Sequence, residues 1–312
     1  MPTAERHSPP PSAAPDGQAD APVRVEGLVK SFGRQRVLRG VTLSFPRGRT
    51  TVVLGPSGCG KSVLLKHLIG LLRPDAGSVH YEGVRVDLLS ERKLGAVRRE
   101  FGFLFQQGAL FDSMTVRENI AFPLRELEGH ESPGEEDRVR RVLRLVGLEE
   151  TIEKYPSELS GGQQKRVALA RAIVLGPKVI LYDEPTTGLD PIRSDVINEL
   201  ILKLEHELKV TSIVVTHDLA SAFKVADHMV MLHEGQVVAE GSPEEFRAST
   251  NPVVARFLRG EASDDELKAI REVTSANVDA ARTKGADGFG APRNDGERAP
   301  GKRRTGASGG ES

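Results

Sequence analysis

A chain of 312 residues, 38% hydrophobic and 28% charged, is long enough to bury a sizeable core in one large domain or in two joined subdomains. Its formal net charge of -1 gives no global attraction to nucleic acid or to anionic lipid, so no polyanion partner is implied. The single cysteine, Cys59, excludes an internal disulfide and suits a reducing compartment such as the cytoplasm, and the apolar runs are strand-sized, far short of the roughly 20 residues that a membrane-spanning helix needs.

Residues 1–22 are rich in Pro, Ala and Asp, lack the apolar stretch of a signal peptide and read as a disordered leader. Strand-like runs follow at Val23–Leu28, Val41–Phe45 and Thr50–Leu54. The next eight residues, Gly55, Pro56, Ser57, Gly58, Cys59, Gly60, Lys61 and Ser62, match the Gly-x4-Gly-Lys-Ser/Thr phosphate-binding loop. The loop stands where its chemistry requires, between a strand and a helix whose apolar stripe runs from Val63 to Leu72 and meets breakers at Arg73–Gly77. Glycines let the backbone wrap a polyphosphate, and the helix start offers its positive dipole end. Lys61 adds charge at the β- and γ-phosphates, and the Ser62 hydroxyl suits the magnesium ion that ATP carries. In the same loop, the helix terminus is expected to lower the Cys59 thiol pKa, which would make oxidation a block to ATP binding.

From Thr115 to Tyr155 the pattern is helical, opened by a Thr115/Glu118 capping box and carried by Val139, Val142, Leu143 and Val146. A second glycine motif, Ser160, Gly161, Gly162 and Gln163, then opens another helix and makes a second anion-binding terminus. One nucleotide hardly needs two such cradles. A head-to-tail pair of chains, each Ser160–Gln163 closing over the γ-phosphate held by the other's Gly55–Ser62 loop, uses both and obeys twofold symmetry.

Strands at Val179–Tyr182, Ser212–Val215 and Met229–Leu232 alternate with helices, the signature of an α/β fold with a mostly parallel sheet. The first of these ends in Asp183 and Glu184, at the sheet edge where ligands of such folds bind. Asp183 is the expected magnesium partner, and Glu184 the base that polarises an attacking water. Beyond Glu261 the chain turns polar, and residues 285–312 read as disordered. Ser263 and Glu266 can cap a short helix over 264–281, either a partner surface or a solvated, fraying segment. The Lys302-Arg303-Arg304 cluster fits a solvating tail better than a lipid contact, and the histidines other than His217 show no metal-ligand spacing.

Over about Val23 to Gly260 these motifs resemble the ABC-type ATPase family. The resemblance implies a P-loop NTPase (RecA-like) α/β core with an N-terminal antiparallel β subdomain and a helical insertion at about 107–165. It also implies ATP hydrolysis with Mg2+ and a homodimer sandwiching two ATP. Phe32 is implied to stack on adenine, and Gln106 to sense magnesium and the transport subunit. Asp190 is implied to communicate across the dimer, His217 to contact the γ-phosphate, and Tyr155–Glu158 to face the transport subunits. Taken singly these would be a core aromatic, a surface amide, a helix cap and a loop histidine.

A finer resemblance, to the ATPases of Mce-associated, Mla-type lipid transporters, rests on Gly108-Ala109-Leu110-Phe111 after Gln106 and on Phe122-Pro123-Leu124-Arg125. It implies work on the cytoplasmic face of the inner membrane beside an integral permease, an Mce-domain protein and, in some relatives, a small regulatory subunit. The long tail after Gly260 departs from that pattern. A polar amino-acid importer and a soluble non-transport ATPase of the same family are the competing readings, the latter usually carrying two cassettes where this chain has one.

Overall fold

The computed structural model describes residues 20–128, 133–262 and Lys268. The chain divides into Met1–Glu261 and Ala262–Ser312, and the elements below belong to the first unit. Residues 1–19 of the expected leader, the helix expected over 264–281 (Lys268 apart) and the basic cluster at 302–304 lie outside the described residues.

The chain opens with β1 (Val23–Phe32) and β2 (Gln35–Phe45), an antiparallel hairpin whose register shifts near Gly27. Asp20 to Pro22 are docked beside it: the Asp20 carbonyl accepts from the Arg47 N–H, and the Pro22 carbonyl from that of Glu82. β3 (Thr50–Leu54) is fully buried and feeds through the glycine loop into α1 (Lys61–Leu68). That helix is shorter than its apolar stripe. Gly70 takes a left-handed φ of 64°, and the Leu71 and Leu72 N–H groups turn back to the Lys66 carbonyl, which leaves Leu71 half-exposed.

β4 (Ala76–Tyr81) and β5 (Val84–Arg85) complete a four-stranded antiparallel sheet in the order β2-β1-β4-β5. Then come α2 (Glu91–Arg99), β6 (Phe101–Leu104), α3 (Val116–Glu128), α4 (Glu135–Leu145) and α5 (Gly161–Ile173). The Thr115/Glu118 box caps α3, the Glu118 N–H donating to the Thr115 hydroxyl and the Thr115 N–H to the Glu118 carboxylate. β7 (Val179–Asp183), α6 (Pro191–Leu208), β8 (Thr211–Thr216), α7 (Leu219–Val225), β9 (His228–His233), β10 (Gln236–Gly241), α8 (Pro243–Arg247) and α9 (Pro252–Arg259) follow.

The second sheet runs β10-β9-β3-β8-β7-β6, parallel except for β10. Strand alternation divides its side chains between two cores. Val52, Leu54, Ile180 and Val214 face the core shared with α3 to α7, while Val53, Leu181 and Val215 face the one shared with α1 and the antiparallel sheet. Because the strands are parallel, the loops after β3, β6, β7 and β8 all leave at one edge. Those four loops carry Gly55–Ser62, Gln106, Glu184 and His217.

Candidate active site

A cleft of about 440 Å³ opens at that edge, lined among others by Phe32, Ser57, Gly58, Gly60, Lys61, Ser62, Gln106, Glu184 and His217. Backbone sterics shape its floor. A Cβ on Gly55 would strike the Leu232 carbonyl and come within 2.7 Å of the Cys59 sulfur, so only glycine lets β3 turn this close to β9. Gly60 precedes α1 in the left-handed region, with φ 108°, and offers no side-chain cap. The first N–H groups of α1 have no partner within the helix, and Lys61 and Ser62 stand in the cleft wall, an arrangement that suits a phosphate.

Charge converges on the same spot. Lys61, 6% exposed, donates to the Gly55 and Pro56 carbonyls at 2.7 and 3.1 Å and lies 3.4 Å from the Glu184 carboxylate. The Ser62 hydroxyl donates to Asp183 at 2.7 Å. Burial pushes the Asp183 carboxyl up, opposed by that hydroxyl and reinforced by the Glu184 charge. A hydroxyl and a carboxylate side by side are hard oxygen donors of the kind Mg2+ takes, so the residues fit the ion the sequence implies.

Glu184 sits just past β7 with φ 49°, a left-handed conformation that costs a β-carbon residue about 1 kcal/mol. The surroundings fix it there. Its N–H donates to the Val215 carbonyl at 2.9 Å, and its carboxylate accepts from His217 Nδ1 at 2.8 Å, the Thr216 hydroxyl at 3.3 Å and the His217 N–H at 3.4 Å. Phe32 ends β1 with its ring half-exposed and the Lys30 ammonium 5.6 Å from its centroid.

Other expected residues stand elsewhere in the monomer. Ser160 caps α5 through a box with Gln163, and Ser160, Gly162 and Gln163 line a separate pocket of about 90 Å³ with Arg166 and Arg193. Gly161 is exposed at the same helix start. Asp190 caps α6, accepting from the Arg193 N–H at 3.0 Å. Pro56 and Cys59 are in the loop but do not line the cleft. The expected activation of Cys59 is reversed: the thiol is 7% exposed, and its burial pushes the pKa up against the pull of the Lys61 charge.

Sequence reasoning missed Val37 and Val63, which add apolar wall beside Phe32, and Thr216, whose hydroxyl meets Glu184. It also passed over Lys165, buried on α5 and bonded to the Gln106 carbonyl. Thr216 closes a β8 strand whose six residues are all buried, and its place at the strand end beside His217 was a signal for the threonine only. No group of His, Cys, Asp and Glu able to hold a metal by themselves occurs among the described residues.

The ABC transporter family model matches residues 38–187. The chain is 46% identical over 238 residues to the probable ribonucleotide transport ATP-binding protein mkl of Mycobacterium leprae, covering 76% of this chain and 69% of that protein. It is 42% identical over 240 residues to the sulfate/thiosulfate import ATP-binding protein CysA of Vibrio vulnificus, covering 76% and 68%. To the intermembrane phospholipid transport system ATP-binding protein MlaF of Escherichia coli it is 41% identical over 228 residues, covering 73% and 85%. Among solved structures, the dimeric post-hydrolysis state of the cassette MJ0796 bound to ADP and Pi is 34% identical, covers 71% of this chain and 98% of its own, and superposes with a TM-score of 0.65. The glycine loop, the carboxylates at the end of β7 and these relatives lead to one assignment: the chain belongs to the ABC transporter family, as an ATP-binding and ATP-hydrolysing cassette.

Proposed function

We propose that this cassette energises the transfer of phospholipid or another hydrophobic molecule between membranes. On this reading it works as a homodimer on the cytoplasmic face of the inner membrane, with an integral permease, an Mce-domain protein and, as in some relatives, a small regulatory subunit. No helix among the described residues is long and apolar enough to cross a membrane, and on this reading the cargo path lies in the permease and Mce-domain subunits. The observation that carries the ATPase part is the meeting of Lys61, Ser62, Gln106, Glu184 and His217 in one cleft. The lipid part rests on the Gly108–Phe111 and Phe122–Arg125 stretches, whose rings meet as Phe111 and Phe122 at 4.8 Å, together with the kinship to MlaF.

The residues divide the chemistry among themselves. Phe32 stacks on the base, while the Gly55–Ser62 loop and Lys61 hold the β- and γ-phosphates. Ser62, Asp183 and Gln106 would hold Mg2+, which offsets phosphate charge as the bond breaks. Glu184 takes the proton of the attacking water, and His217, bonded to that carboxylate, stands at the γ-phosphate end. Ser160–Gln163 and Asp190 point to a second copy, since in the monomer the signature residues open onto a different pocket from Lys61.

Glu184→Gln removes the base and keeps the shape. ATPase activity is expected to fall by roughly 10²-fold or more, with ATP retained in a stable dimer; turnover at the wild-type rate would reject the assignment. Purification of the tagged chain from detergent-solubilised membranes tests the cargo class. A small multi-pass permease and an Mce-domain protein are the expected companions, and a polar-solute permease in their place would overturn the lipid reading.

A further inference from the structure

The loop after β6 carries Gln106, and α5 starts at the Ser160 signature; one side chain joins them near each end of the contact. Lys165, one turn into α5 and only 7% exposed, donates from Nζ to the Gln106 carbonyl. Arg171, further along α5, donates to the Gly108 and Ala109 carbonyls, both at 2.9 Å, and its guanidinium lies 5.7 Å from the Phe111 ring centroid. Three of four consecutive carbonyls are thus taken by two cations from one helix.

The segment they hold is not a relaxed one. Gly108 has φ 74° and Ala109 φ 50°, a left-handed pair in which alanine is disfavoured, and Gly108 packs against Ala168 of α5, 3.4 Å from where its Cβ would stand. Lys165 is itself buried, so its ammonium is largely withdrawn from water. A desolvated cation in that position needs its carbonyl partner, and losing the carbonyl leaves the buried ammonium unpaired.

We propose that Lys165 and Arg171 are positioning residues that clasp the Gln106 loop to α5, so that the Ser160 end of the helix and Gln106 move as one body. A γ-phosphate gripped at Ser160 in the dimer would then be felt at Gln106 in the same chain, and displacement of Gln106 would reach the signature helix. The inference rests on the proposed roles of Gln106, Glu184 and the signature residues.

The test is steady-state ATPase kinetics on the full chain with Lys165→Met, Lys165→Arg, Gln106→Ala and the Lys165→Met/Gln106→Ala double variant. Glu184→Gln and thermal melting are run in parallel. Lys165→Met is expected to lower kcat by about tenfold, the fold-change of one lost charge-assisted hydrogen bond, with KM for ATP within about twofold of wild type. Lys165→Arg should recover most of the rate, and the double variant should be no slower than Gln106→Ala alone. An unchanged kcat in Lys165→Met, or losses that multiply in the double variant, would overturn the clasp. If Lys165→Met does not fold, Arg171→Met is read by the same criteria with the same outcomes. Wild-type hydrolysis by Glu184→Gln would instead defeat the underlying site assignment, which separates the two failures.

Discussion

Glu184 concentrates the residue-scale argument. A strand of five buried residues ends one position before it, the backbone flips to φ 49°, and the carboxylate arrives between the Lys61 ammonium and the His217 ring. A conformation that alanine or glutamate disfavours persists only where neighbours over-determine it, and here the Val215 carbonyl and three donors do so. Phe32 is the opposite case, a half-exposed ring whose value lies in what it can stack on. Phe32→Ala should raise the Kd for ATP about tenfold while kcat at saturation stays close to wild type, the range that base stacking on an aromatic covers. Since stacking is blind to base identity, affinity for GTP should fall in proportion. An unchanged ATP affinity in a nucleotide titration would remove Phe32 from the site.

At the scale of elements, the sheet is anchored at the edge opposite the cleft. Thr50 opens β3, its N–H donating to Asp227 at 2.8 Å and its hydroxyl to Glu205 of α6, while the Asp227 N–H returns to the Thr50 carbonyl at 2.9 Å. Burial pushes the Glu205 carboxyl up, the Thr50 hydroxyl opposing and the Asp227 charge adding to the rise. The folded state therefore keeps this proton to higher pH than the unfolded chain. The stability it contributes is full below the ordinary value of 4.5 and is lost as pH rises through the folded one. Glu205→Gln keeps an oxygen for Thr50 and places an amide N–H₂ beside Asp227. Its Tm at pH 8 should exceed the wild type's by on the order of 2 °C, the gap closing toward acid pH. Equal or lower Tm at pH 8, followed by circular dichroism, would show that the pair is not strained by charge.

On the scale of the whole molecule, α1 and α5 both start at glycines and stand apart in the monomer, α1 in the cleft wall and α5 in a separate pocket. Gly161, exposed at the start of α5 with an ordinary negative-φ backbone, is the place to probe that separation. A Cβ there clashes with nothing in the monomer, since the nearest outside atom to it is a Leu189 methyl at 3.9 Å. In a dimer that shares its nucleotides it would face the γ-phosphate held by the second copy. Gly161→Asp, in a Glu184→Gln background, should abolish ATP-driven dimerisation in size-exclusion chromatography and leave ATP binding by the monomer within about twofold. Persistence of the dimer would place the signature outside the nucleotide interface.

Local chemistry made much of this chain legible as a sequence. Gly55–Ser62 between an apolar strand and an apolar helix, Val179–Asp183 ending in acids, and the Thr115/Glu118 and Ser160/Gln163 boxes are patterns whose cause lies within a few residues, and the chain adopts each of them. Where α1 stops was not legible, because Leu71 and Leu72 continue the apolar stripe while Gly70 turns the backbone. Only the tertiary structure decided the rest. That four loops share one edge follows from the parallel order β9-β3-β8-β7-β6, which joins residues far apart in the chain. The Cys59 thiol shifts up because packing desolvates it, a cost that overrides the helix terminus a motif displays. Lys165 looked like one more charge on a helix until the fold buried it against Gln106. Short-range covalent and hydrogen-bond preferences travel with the sequence, whereas burial and the pairing of distant groups exist only once the chain has closed on itself.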